Sequence, residues 1–221
     1  YEQPTAILNT LDGRIGGEDV LENIFGEGSS ELLSKAERIQ IVAAGTSLHA
    51  GRVAANWFSA IANLPSQIDF ASEYRYKNPY VDKNTLLLTI SQSGETADTL
   101  AALEKCKKNN LKTCGIVNVL ESSIARNSDL VLPIHAGPEI GVASTKAYLG
   151  MLVGQLVLAK HWDTQNKLDV SFEEIKGLPS LIEETLKCEK EIKEIAESIY
   201  KQNDVYFIGR GLDYALAAEG A

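Results

Sequence analysis

Short, largely apolar runs alternate along this chain with segments whose apolar residues recur at helical spacing. Runs of this kind are typical of strands that a parallel sheet buries on both faces. The predicted strands are residues 39–44, 67–70, 85–90, a strand within 111–119 that is centred on 114–118, and 129–134. Because helical segments separate them, we predict an α/β fold in which helices flank both faces of a mostly parallel sheet. Pro133 lacks a backbone donor, which predicts the end of its strand or an edge position.

The pattern divides the chain into three parts. Residues 1–36 form a predicted N-terminal linker with helices over 5–11 and 21–36, and residues 37–168 hold the strands and form one domain. Residues 169–221 begin with helices over 172–201, which Gly177 and Pro179 are predicted to interrupt. A strand at 205–208 then precedes Gly209-Arg210-Gly211, which predicts the truncated start of a second, similar domain. We expect the chain to be a piece of a longer protein.

The composition is that of an ordinary globular domain, with 44% hydrophobic and 23% charged residues. Acidic residues outnumber basic ones by 30 to 21, and the formal net charge of −9 argues against nonspecific binding to nucleic acid or anionic membranes. No apolar run reaches the roughly 18 residues of a membrane-spanning helix. The 3 cysteines and 3 histidines show neither a disulfide nor a zinc pattern. We therefore expect a soluble, cytoplasmic protein without a metal or a cofactor.

Three polar loops follow predicted strands, at the end of an open parallel sheet where ligands bind. They are Gly45-Thr46-Ser47, residues 91–96 and residues 139–146. His49 and His135 have no carboxylate at an obvious spacing, so we interpret them as structural or solvated. A scaffold without a ligand would require three polar loops to coincide by chance, and we favour a binding function.

Residues 91–96, Ser-Gln-Ser-Gly-Glu-Thr, are the strongest candidate site. A phosphate accepts hydrogen bonds from several converging donors, among them the N–H groups at the start of a helix. The side-chain donors of this loop are Ser91, Gln92, Ser93 and Thr96. Neither GxGxxG nor GxxxxGK(S/T) is present, which disfavours dinucleotide binding and a P-loop. The competing interpretation is a polar turn whose hydroxyls cap the next helix.

The first and third loops leave two interpretations open. Thr46 and Ser47 either face a ligand or cap a helix. In residues 139–146 small side chains permit the close approach of a ligand, although Ser144 or Thr145 could equally cap the following helix. Lys146 either reaches an anion or is solvated.

Together the three loops resemble those of the sugar isomerase (SIS) domain family. The matching segments are Ala-Ala-Gly-Thr-Ser at 43–47, Ser-Gln-Ser-Gly-Glu-Thr-Ala-Asp-Thr at 91–99 and Glu-Ile-Gly-Val-Ala-Ser-Thr-Lys-Ala at 139–147. More closely they resemble the isomerase half of the glucosamine-6-phosphate synthases, the glutamine–fructose-6-phosphate aminotransferases. The N-terminal Tyr-Glu-Gln-Pro is similar to their interdomain linker. The resemblance implies a three-layer α/β/α SIS domain, linking helices and the start of a second SIS domain.

The resemblance also implies a role for each matching residue. Those that would hold the phosphate of a sugar phosphate are Ser91, Gln92, Ser93 and Thr96, with Ser47 assisting. Those that would line the pocket around the sugar hydroxyls are Thr46, Val142 and Ser144. No complete catalytic set falls within this chain, and Glu219 would lie at the edge of the site as a candidate catalytic residue. Ala44 departs from the cysteine that is usual in the family, at a position that is not expected to do chemistry.

Much of what the resemblance implies lies outside this chain. The family converts fructose 6-phosphate and glutamine to glucosamine 6-phosphate and glutamate, in amino-sugar biosynthesis. Its isomerising lysine and glutamate follow the Glu-Gly-Ala turn, a glutaminase domain precedes the isomerase half, and a partner subunit supplies a histidine, so a homodimer is expected. This chain should therefore bind a sugar phosphate without turnover. The alternatives are a non-catalytic SIS module that senses sugar phosphates and another phosphosugar isomerase of the same fold.

Overall fold

The structure, a computed structural model, describes residues 1–21, 24–78, 82–141, 143–163 and 170–221. Its helices are α1 (Gln3–Leu11), α2 (Ser29–Ser34), α3 (Thr46–Ala60), α4 (Ala71–Tyr74), α5 (Ala97–Lys108), α6 (Ser123–Asn127), α7 (Lys146–His161), α8 (Phe172–Leu186), α9 (Glu189–Ile199) and α10 (Leu212–Gly220). Its strands are β1 (Ile15–Gly16), β2 (Asp19–Val20), β3 (Arg38–Ala43), β4 (Ser66–Phe70), β5 (Thr85–Ser91), β6 (Lys112–Val117) and β7 (Leu130–Pro133). Within these ranges no helix is both long and apolar enough to cross a membrane.

Strands β3 to β7 form the central sheet of the described chain. Its five strands are all parallel and lie in the order β4-β3-β5-β6-β7. The middle strand β5 is buried along its whole length, which explains the apolar run that predicts it. Strand β7 lies at the edge and ends at Pro133, as the missing donor predicts.

Helices cover both faces of this sheet. Successive side chains of a strand point to opposite sides, so neighbouring residues of β5 pack against different helical layers. Leu88 belongs to a hydrophobic cluster with Phe58 of α3 and Met151 of α7. Its neighbour Leu87 belongs to a separate cluster with Leu103 of α5. The predicted arrangement of a parallel sheet between two helical layers is thereby confirmed.

The prediction of one helix over residues 21–36 is wrong. In the described part of this segment only the six residues of α2 are helical. Gly26 and Gly28 adopt φ angles of +114° and +74°, which are incompatible with a continuous right-handed helix. Glycine reaches such angles without a steric penalty, so the chain turns here before α2 begins.

The predicted interruption at Gly177 and Pro179 is also wrong, since α8 continues through both residues. A capping box between Ser171 and Glu174 starts the helix. Ile175 before the proline and Ile182 after it both pack into the cluster that joins α8 to α1 and α7. This packing outweighs the hydrogen bond that a proline removes.

The predicted strand at residues 205–208 is wrong as well. These residues are exposed and are not in a strand. A strand depends on a neighbour for its hydrogen bonds, and none of the described strands pairs with this segment. Helix α10, which follows it, packs against α3. The domain boundaries at residues 36 and 168 stay predictions, as does the start of a second domain.

Candidate functional site

Two of the three predicted loops follow the carboxyl ends of two strands that are neighbours in the sheet. Strand β3 ends at Ala43 and β5 at Ser91, and the two pair in parallel with Val42 opposite Thr89. Gly45-Thr46-Ser47 and residues 91–96 therefore begin side by side. They lie at the carboxyl ends of the strands, where open parallel sheets bind their ligands.

The hydroxyls of loop 91–96 bond within the loop. Ser91 Oγ lies 2.9 Å from Thr96 Oγ1 and accepts a hydrogen bond from the Gly94 N–H at 3.0 Å. The Ser93 hydroxyl accepts a hydrogen bond from the Glu95 N–H at 3.2 Å. Thr96 is the N-cap residue of α5, but its side chain makes no capping hydrogen bond. The competing interpretation, in which hydroxyls of this loop cap the next helix, is therefore wrong for the N-cap residue Thr96, and the first-turn N–H groups of α5 suit a ligand.

Gly94 fixes this loop against α6. Its φ is +65°, and a Cβ atom at this position would lie 2.0 Å from Ser122 Oγ. The Gly94 carbonyl accepts a hydrogen bond from the Ile124 N–H at 3.0 Å. The Glu95 carboxylate accepts one from the Ser123 N–H at 2.7 Å, and this bond lowers the pKa of Glu95. The conformation of the loop thus depends on the absence of a side chain at residue 94.

The first loop turns into α3 at Gly45, whose φ is +55°. The carbonyl of Gly45 accepts hydrogen bonds from the N–H groups of Leu48 at 2.9 Å and His49 at 3.3 Å. Thr46 and Ser47 are the first two residues of the helix and not its cap, contrary to the capping interpretation. Ser47 is buried and Thr46 half-buried, beside loop 91–96.

Glu139 organises the third loop, a role that sequence reasoning missed. Its carboxylate accepts hydrogen bonds from Ser144 Oγ at 2.8 Å and from the Thr145 N–H at 2.7 Å. The side chain of Thr145 does not cap α7, so Glu139 takes the role predicted for Ser144 or Thr145. The signal was available, since a carboxylate is favourable at a helix N-terminus and Glu139 is the one acidic residue of this loop. Val142 lies outside the described residues.

Hydrogen bonding at Glu139 predicts a pH-dependent contribution to stability. Burial raises the pKa of Glu139, but hydrogen bonds from Thr145 and Ser144 outweigh burial and hold the pKa below its ordinary value. This contribution is therefore present above the unfolded-state pKa of about 4.3 and is lost as the pH falls through the folded-state value. Urea unfolding at a series of pH values should show that Glu139→Gln destabilises the chain near neutral pH and progressively less in acid. Glu104→Gln, at an exposed position on α5, is the control, and an identical pH dependence for both variants would contradict this role of Glu139.

Lys146 is not solvated but forms an ion pair within the chain. Its side chain is 9% exposed, and its Nζ lies 2.5 Å from a carboxylate oxygen of Glu2. The N-terminal segment covers the start of α7 here. The residues that line the small cavity between them are Tyr1, Glu2, Gln3, Glu139, Ile140, Ala143, Thr145 and Lys146. The interpretation of Lys146 as solvated is therefore wrong, while its pairing with an anionic ligand stays a prediction.

Glu219 lies in the last turn of α10, which packs against α3. Burial and, to a smaller extent, the Glu219 carboxylate raise the pKa of Tyr148 to about 12. Burial lowers the pKa of His49, while Glu219 acts in the opposite direction. His49 therefore has a nearby carboxylate that no local spacing in the sequence reveals.

A model of the SIS domain family matches residues 32–159, and the chain belongs to this family. Over 227 aligned residues the chain is 45% identical to the isomerizing glutamine–fructose-6-phosphate aminotransferases of Idiomarina loihiensis and Escherichia coli K12. The alignments cover 100% of the chain, which spans about 37% of the length of these curated relatives. A similar solved structure is the C-terminal domain of glucosamine-fructose-6-phosphate aminotransferase from Francisella tularensis, with a TM-score of 0.89 and 38% identity. That match covers 100% of this chain and 64% of the other, and the resemblance seen in the three loops is confirmed.

Proposed function

We propose that this chain is the sugar-phosphate-binding part of the isomerase half of a glutamine–fructose-6-phosphate aminotransferase. The observation that carries the proposal is the position of loop 91–96 beside the first turn of α3. The residues that hold the phosphate are Ser91, Gln92, Ser93 and Thr96, with Ser47 assisting from α3. Hydroxyls and two helix N-termini converge there, so the negative charge is stabilised without a lysine.

The sugar occupies the crevice next to the phosphate. Thr46 and Ser144 bond its hydroxyls, Val142 contributes to the pocket wall, and Glu219 borders the site. Ser144 already donates its hydroxyl proton to Glu139, so its oxygen is oriented to accept a hydrogen bond from a sugar O–H. The ligand is fructose 6-phosphate or the product glucosamine 6-phosphate.

The whole protein converts fructose 6-phosphate and glutamine to glucosamine 6-phosphate and glutamate. This reaction requires ring opening, a base that moves a proton between C1 and C2, and stabilisation of the enediol. The present chain supplies the phosphate-binding loop and the crevice. A lysine and a glutamate outside it and a histidine of a partner subunit perform the chemical steps. A glutaminase domain, a homodimer and a cytoplasmic location belong to the same proposal.

A phosphorus NMR titration of the 221-residue chain with fructose 6-phosphate tests the phosphate site. Ser93→Ala removes one hydroxyl from an exposed position of the loop, so the fold should be kept. A hydrogen bond to a charged group contributes about 1.5–3 kcal/mol, and we expect the Kd to rise roughly 10- to 150-fold. Ser198→Ala, at an exposed position on α9, should leave the Kd unchanged.

Three outcomes separate this proposal from its competitors. Equal affinity of Ser93→Ala and wild type, or no binding by wild type, would refute the phosphate site. Conversion of fructose 6-phosphate to glucose 6-phosphate by this chain would show that it already holds the isomerising base. In the whole protein, glutamine-dependent formation of glucosamine 6-phosphate distinguishes the aminotransferase from a non-catalytic sensor and from another phosphosugar isomerase.

A further inference from the structure

Arg52 of α3 lies between two aromatic rings from different parts of the fold. Its guanidinium carbon is 5.6 Å from the ring centroid of Phe70, at the end of β4, and 5.8 Å from that of Tyr214, in the first turn of α10. Both distances are within the range of cation–π contacts, and a planar guanidinium stacks well on aromatic faces. The side chain of Arg52 therefore connects α10 to α3 and to the edge of the sheet.

The same two helices meet again one turn earlier along α3. His49 precedes Arg52 by three residues and shares its face of the helix, with His49 Nδ1 3.5 Å from Arg52 Nη1. On α10, Glu219 follows the buried Ala215 by four residues and so shares the face that packs on α3. Tyr214 lies beside Arg52, and the charge of Glu219 raises the pKa of His49. The later residue of α10 thus corresponds to the earlier residue of α3, as expected of two antiparallel helices.

This second contact involves residues that closely follow, along the chain, those proposed to bind the sugar. His49 lies one turn after Thr46, and Tyr148 lies four residues after Ser144. The hydroxyl of Tyr148 is buried and has no hydrogen-bond partner among the described residues. Since buried polar groups are normally paired, the unpaired hydroxyl indicates that a polar group lies nearby. Glu219 is the carboxylate whose charge contributes to the raised pKa of Tyr148.

We propose that Arg52 is a positioning residue, which clamps α10 against α3 and thereby holds the Glu219 carboxylate at the edge of the sugar crevice. Ala215 is the one buried residue of α10, so apolar packing alone contributes little to the attachment of this helix. The inference rests on the proposed function, because Glu219 borders a sugar only if the neighbouring loops bind one.

His49 reports the position of Glu219 without any ligand. The charged groups that face it are Glu219 from α10 and Arg52 from its own helix, while Tyr148 of α7 is neutral at physiological pH. Burial lowers the pKa of His49, Glu219 raises it and Arg52 lowers it. The response of His49 to the removal of the Glu219 charge therefore measures whether α10 is in place.

Titration of His49 by proton–carbon NMR in a set of double variants tests the clamp. In the wild-type background, Glu219→Gln should lower the pKa of His49, because the imidazolium loses a stabilising charge. In the Arg52→Met background, and separately in Tyr214→Leu, the same substitution should leave the pKa of His49 unchanged. Arg52→Lys keeps the charge without the planar group and should restore the response only in part.

Arg75→Met is the matched control, because it removes a guanidinium stacked on Tyr76 and leaves α10 untouched. It should keep the full response. A full response in Arg52→Met or in Tyr214→Leu, or no response in the wild-type background, would overturn the inference. Because the titration uses no ligand, failure of fructose 6-phosphate to bind would refute the sugar site while the clamp is still measured independently.

Discussion

Gly94→Ala is expected to lower the free energy of unfolding by about 2–5 kcal/mol and to abolish measurable binding of fructose 6-phosphate. A left-handed backbone costs a residue with a Cβ atom about 1–2 kcal/mol. The added Cβ would also lie 2.0 Å from Ser122 Oγ, and overpacking of this kind costs about 1–3 kcal/mol. Relief of the clash moves residue 94 away from α6 and displaces the donors of loop 91–96. Urea unfolding and the phosphorus NMR titration measure the two effects.

Gly137→Ala separates the backbone cost from the clash. Its φ is +71°, and among the described atoms none lies within 4 Å of the position its Cβ would take. We expect only the backbone cost of about 1–2 kcal/mol and unchanged binding. Equal destabilisation of both variants, with binding retained in Gly94→Ala, would show that contact with Ser122 does not fix the loop.

Leu88→Ala is expected to lower the free energy of unfolding by about 2–5 kcal/mol. The side chain is fully buried in the middle of β5 and belongs to the same cluster as Phe58 of α3. Its removal leaves a cavity between the sheet and the helix layer, whose neighbours relax only in part. Denaturant unfolding measures the loss as a lower midpoint at unchanged slope.

Leu8→Ala provides the same substitution at a position that is 58% exposed on α1. Surface substitutions of this kind change the free energy of unfolding by less than about 0.5 kcal/mol. If both leucine variants lost the same free energy, β5 would not be the centre of the hydrophobic core.

The sheet and two of the loops can be predicted because their signals are local. Residues 85–90 are mostly apolar because helices cover both faces of β5. The hydroxyl-rich segments come directly after strands and lead into helices. The first N–H groups of a helix have no partner within the helix and can therefore bind a ligand. The edge position of Pro133 likewise follows from its own missing N–H group.

The features that sequence reasoning misses depend on residues distant along the chain. Helix α8 continues through Pro179 because its residues before and after the proline pack into a cluster with α1 and α7. The segment at 205–208 has the composition of a strand, but hydrogen bonding to a neighbour decides whether a strand forms. Glu219 acts on the pKa of His49 only because α10 returns to α3. In each case the local pattern is decided by a tertiary contact or, for residues 205–208, by the lack of a pairing strand among the described residues.

The all-parallel order of the central sheet has a consequence for how the chain reaches this fold. Within this sheet, a helix or a long connection joins each pair of neighbouring strands, and no hairpin joins any of the five described strands. Strand β5 pairs with β3, although α3, β4 and α4 lie between them along the chain. The two ends of this long loop must therefore meet before the first hydrogen bond between the strands forms. We therefore expect loop closure, rather than helix formation, to limit the rate of folding. Until β3 and β6 join β5, its unpaired edges are open to the strands of a second, partly folded chain.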